Sequence, residues 1–74
     1  MITIEKIRSK LIESIKQSGI KYYELAAKIG VSHQAISQYL YKNKMPALDT
    51  FAKLCAVLDL DANEILCVNE YLEN

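Results

Sequence analysis

Residues 22–41, YYELAAKIGVSHQAISQYLY, read as two short helices joined by one tight turn. Leu25, Ala26 and Ile29 recur at helical spacing, which places them on one face. Gly30 ends this helix, because glycine takes the left-handed conformation without a side-chain clash, and Val31 behind it can fold back onto the preceding turn. Ser32 opens the next helix, where its hydroxyl can accept from a free backbone N–H of the first turn. Ala35, Ile36, Tyr39 and Leu40 supply the inner face of that second helix. So short a linker makes the two helices cross steeply, and the small Ala26 lets their backbones approach.

The outer face carries Ser32, His33, Gln34, Ser37 and Gln38, a row of neutral hydrogen-bonding groups. Glutamine both donates and accepts, so it can make a bidentate contact with the exposed edge of adenine, and serine or histidine can contact several base edges. A solvated helix face would serve equally for most amphipathic helices. Against that use stands the absence of Asp and Glu between Glu24 and Asp49, since a surface meant only for water mixes both signs of charge.

ELAAKIGVSHQAIS (24–37), followed by Pro46 and DTFAKLCAVLDLDANEIL (49–66), resembles the Cro and phage-repressor helix-turn-helix family, also called Xre-like. The pattern of Leu25, Ala26, Gly30, Val31, Ile36, Pro46, Leu54 and Leu58 carries the likeness, which spans roughly residues 7–66. The resemblance implies an all-α, five-helix, lambda-repressor-like DNA-binding domain, with the helix-turn-helix at its second and third helices. It places His33, Gln34 and Gln38 on base-contacting positions, with Ser37 a weaker candidate. Tyr22, Ser32 and Tyr41 then fall where phosphate is met, and Lys42, Asn43 and Lys44 match a second phosphate clamp. Tyr22 and Tyr41 could also pack partly against the core, and the two lysines could belong to a solvated loop.

Working outward, Ile4, Ile7, Leu11, Ile12 and Ile15 form the apolar stripe of a first helix over residues 4–17, with Thr3 as its cap and Ser18-Gly19 as its end. The second helix spans 22–29. Its cap position is Lys21, where the family has Ser or Thr, so Glu24 is expected to reach back to the Lys21 N–H. The third helix spans 32–42, with Asn43 taking the left-handed turn and Pro46 barring continuation. In this part of the chain Leu40 and Lys42 stand where the family has an acidic residue and a glycine. A fourth helix over 48–58 is expected to bury Leu48, Phe51, Leu54, Cys55 and Leu58. Asp61 and Glu64 have the spacing of a capping box for a fifth helix over 62–67, leaving 68–74 as an extension.

The 74 residues suit one domain with a small core, and the 51% hydrophobic content argues against disorder. The net charge is zero but uneven. Residues 1–48 hold eight basic groups against Glu5, Glu13 and Glu24, a balance of +5; residues 49–74 hold Lys53 against six acidic groups, a balance of −5. A basic half can face phosphate while the acidic half points away. No apolar run is long enough to span a bilayer, and residues 1–9 carry Glu5 without a signal core, which points to the cytoplasm. Cys55 and Cys67 lack the spacing of a metal site and read as small buried hydrophobes.

A single His without a Cys or Asp partner at useful spacing, and the lack of a Gly-rich phosphate loop, argue against an enzyme and call for no cofactor. The expected function is a sequence-specific transcriptional regulator, a small repressor of phage or mobile-element type. Its expected partner is double-stranded DNA carrying an inverted repeat, bound by a homodimer through Leu66, Val68, Tyr71 and Leu72, which are apolar for an exposed tail. The alternative is a protein-interaction module of the same fold, such as the antitoxin of a toxin–antitoxin pair or a partner-binding phage regulator.

Overall fold

Thr3 starts the first helix by accepting the Lys6 N–H on its hydroxyl at 3.2 Å. In the computed structural model, which describes residues 2–69, five helices follow in order. They are α1 (Ile4–Ser18), α2 (Tyr22–Ile29), α3 (His33–Tyr41), α4 (Leu48–Leu58) and α5 (Ala62–Ile65). The domain is all-α, and the described residues contain no strand. α2 packs on both α3 and α4, and α5 closes against α1. The core joins Ile7, Leu11 and Ile15 of α1 to Leu25, Ala26 and Ile29 of α2, Ile36, Tyr39 and Leu40 of α3, and Phe51 and Leu54 of α4. Ile65 and Cys67 complete it, and the described residues include no buried polar or charged side chain.

The α1 stripe is narrower than expected. Ile4 is 52% exposed, and Ile12 is only partly buried. A helix of 15 residues outreaches its 8-residue neighbour α2, so its first turn has little to pack against.

α2 ends at Gly30 (φ 75°), and the Val31 N–H bonds back to the Ala26 carbonyl at 3.0 Å. No side-chain hydrogen bond from Lys21 caps its start, and Glu24 stays exposed in the first turn. The Glu24 carboxylate still favours the positive end of the helix dipole. Ser32 stands just outside α3 as its cap, accepting the Ala35 N–H at 3.1 Å. At the far end the Lys42 and Lys44 N–H groups both return to the Gln38 carbonyl, and Asn43 takes the left-handed turn (φ 58°). Leu40 is buried, which removes any need for a charged partner at that position.

Leu48 departs from the expected core, being 82% exposed. A helical side chain leans toward its own N-terminus, and at the first position of α4 that direction leads past the core. Cys55 and Leu58 lie on the same side and are half-buried rather than buried. Burial, then the negative charge of Asp61, pushes the Cys55 thiol up. α5 is shorter than expected, because Cys67 adopts a left-handed conformation (φ 62°) and donates its N–H to the Glu64 carbonyl at 3.1 Å. A simple side-chain cap takes the place of the expected capping box. The Asp61 carboxylate accepts the Asn63 N–H at 3.0 Å, while the Glu64 N–H goes to the Asp61 carbonyl. Lys10 then ties the two ends of the core together, donating from Nζ to the Glu64 carbonyl at 3.2 Å.

Two left-handed helix ends respond oppositely to substitution. A Cβ at Gly30 would meet nothing within 4 Å, so the cost of Gly30→Ala is the strain of an L side chain in the left-handed conformation, and it should destabilise by roughly 1–2 kcal/mol. Asp59, at φ 54°, holds the same conformation with a side chain and places a negative charge at the C-terminal end of α4. Asp59→Gly should therefore stabilise by up to about 1 kcal/mol. Chemical denaturation of both variants checks the pair of signs.

Candidate nucleic-acid interface

The pattern of burial on α3 divides its surface sharply. Ile36, Tyr39 and Leu40 face the core, and His33, Gln34, Gln38 and Tyr41 are exposed on the opposite side, with Ser37 half-buried at its edge. Nine residues make a helix about 13 Å long, short enough to lie along a major groove. Its first and last turns carry no charged side chain, so hydrogen-bonding groups dominate its outer face. Ser32 spends one acceptor on the α3 cap and keeps its hydroxyl proton for another partner.

Charge is supplied from the flanks. Lys42, Asn43 and Lys44 are all exposed in the loop that follows α3. On the other side, the turn between α1 and α2 opens a groove lined by Lys16, Gly19, Ile20, Lys21, Tyr22, Tyr23 and His33. Tyr22, expected at phosphate, and His33, expected at bases, therefore share one concave surface. Tyr22 is half-buried against the core while Tyr41 is 63% exposed, so Tyr22 both packs and faces the groove. Burial pushes the Tyr22 phenol up, and hydrogen bonding with Tyr41 and the charge of that neighbouring phenol push it further in the same direction. Its hydroxyl remains a proton donor throughout the neutral range. Tyr39 is raised too, first by burial and then by Asp49.

Reading the residues in order missed Lys16, Lys21 and Tyr23 as groove residues. Their ring contacts are the structural signal: the Lys16 ammonium lies 5.8 Å from the Tyr41 ring centroid, and the Lys21 ammonium 5.9 Å from that of Tyr23. Helical periodicity could have placed Lys16 on the outside of α1, but not beside the end of α3. In the C-terminal region, Leu66 packs partly against its own core and Val68 is half-buried. Tyr71 and Leu72 lie outside the described residues.

A helix-turn-helix family model matches residues 11–65. The chain belongs to the Cro and phage-repressor type of helix-turn-helix proteins. It is a DNA-binding helix-turn-helix domain. No curated protein and no solved structure gives a significant match. No helix among the described residues is long and apolar enough to cross a membrane, and no group of His, Cys, Asp and Glu among them could hold a metal ion.

The Ser32 cap offers a direct test of how α3 is held. Ser32→Ala removes the acceptor for the Ala35 N–H and should cost about 1 kcal/mol of stability. Equilibrium unfolding in urea measures it, and unchanged stability would show that the cap bond contributes nothing in solution.

Proposed function

We propose that this helix-turn-helix domain is a sequence-specific transcription regulator, acting as a repressor on an inverted-repeat operator. The observation that carries this reading is the uncharged, exposed stripe of His33, Gln34, Gln38 and Tyr41 set between basic flanks. In this reading α3 enters the major groove, and Gln34 and Gln38 read base edges with His33 at the helix start and Ser37 at the edge. Lys42, Asn43 and Lys44 hold the backbone beyond the C-terminal end of α3, and Tyr22, Ser32 and Tyr41 hold it near the groove. One subunit spans only a few base pairs. Two copies, joined through the acidic C-terminal half, would present two recognition helices about one DNA turn apart. Occupying such an operator would block transcription by excluding other proteins.

Charge sets the scale of affinity. With three or four phosphates neutralised per subunit, the logarithm of the binding constant should fall with the logarithm of salt at a slope of about −3, and about twice that for a dimer. Selection from a randomised duplex library at two salt concentrations should enrich an inverted repeat with half-sites about one turn apart. Gln34→Ala and Gln38→Ala should each weaken that site by about 5- to 150-fold while leaving the salt slope unchanged, as expected for losing a base contact of about 1–3 kcal/mol. Flat enrichment, or full affinity in both variants, would sink the base-reading role. The acidic half would then be the surface to test for a protein partner.

A further inference from the structure

Lysine side chains on a surface are usually dispersed in solvent, yet two of them flank the start of α2 on tyrosine rings. Lys16, in the last turn of α1, lies over Tyr41 from the last turn of α3, and Lys21 lies over Tyr23. Tyr41 also neighbours the Tyr22 phenol, which burial first and then Tyr41 push up. The Lys16–Tyr41 contact thus joins α1 to the end of α3, and both lysines line the groove that contains Tyr22 and His33. Among the described residues, none that lines that groove is acidic. Glu13, one turn before Lys16, accepts instead from the Gln17 amide at 3.0 Å. A ring face orients an ammonium without neutralising it, so both lysines keep their charge and their donors.

We infer that Lys16, held across Tyr41, is a further contact to the DNA backbone, and that with Lys21 it clamps a phosphodiester beside Tyr22. The inference rests on the DNA-reading function proposed above, and it extends the footprint to α1, outside the helix-turn-helix itself. Tyr41 then has two separable duties. Its ring positions Lys16, and its hydroxyl meets the backbone near the groove as proposed above.

The test measures binding of the full chain to a mixed-sequence duplex of about two helical turns, over salt from about 50 to 200 mM. Lys16→Gln should reduce the magnitude of the slope by about 0.9 per subunit, the signature of one lost phosphate contact. Lys53→Gln, in the acidic half, should leave the slope unchanged. Tyr41→Phe keeps the ring and loses only an uncharged hydroxyl, so it should retain the wild-type slope even where affinity falls, whereas Tyr41→Leu should approach the Lys16→Gln value. A wild-type slope in Lys16→Gln, in a protein that binds DNA, overturns the inference alone. Absence of salt-dependent binding by the unsubstituted chain overturns the DNA-reading function and this inference with it.

Discussion

The left-handed turn at Gly30 controls how the rest of the domain is arranged. It ends α2 with the Val31 N–H on the Ala26 carbonyl and leaves only Val31 and Ser32 before α3 begins. With so little chain between them, the two helices have few ways to pack. Ala26 occupies the resulting core with a methyl group, while Ile29 and Ile36 close it on either side of the turn. Once α2 and α3 are set, the outward face of α3 follows from its own periodicity. Its polar groups point away from the core because Ile36, Tyr39 and Leu40 occupy the inner positions.

In the proposed function this division separates two kinds of DNA recognition. Hydrogen-bonding groups without charge are suited to discriminating base edges, since their contact depends on the pattern of donors and acceptors. Ammonium groups are suited to phosphate, which is the same at every step and rewards charge alone. In this domain the two are placed on different elements. α3 carries the glutamines, and the α1–α2 turn and the loop after α3 carry the lysines. The acidic residues gather beyond residue 48, so a chain of zero net charge still presents a basic side. Association can be steered by that asymmetry even without an overall positive charge.

Much of the local structure around α3 was legible in residue order because its signals are local. The Ser32 cap, the Gly30 turn, the Asn43 turn and the alternation of inner and outer residues on α3 each depend on a few neighbouring residues and their backbone. Leu48 was misplaced for the opposite reason. Its spacing fits the inner face of α4, but its exposure depends on where the first turn of that helix ends relative to the core. The early end of α5 is similar: Cys67 leaves the helix to bury its side chain, a choice made by the packing around it.

The chain by itself determined the all-α class, the helix-turn-helix and the composition of the outer face of α3, because helical period, capping and turn chemistry act over a few residues. Packing decided which distant residues meet. Lys16 and Tyr41 are 25 positions apart, and only the docking of α1 beside the end of α3 brings an ammonium onto that ring. The meeting of the α1–α2 turn with the start of α3 makes one groove of Tyr22 and His33. Short-range rules set each helix and its outward residues; the long-range burial of Ile15, Leu25, Ile36 and Leu54 in one core sets the surface those residues share.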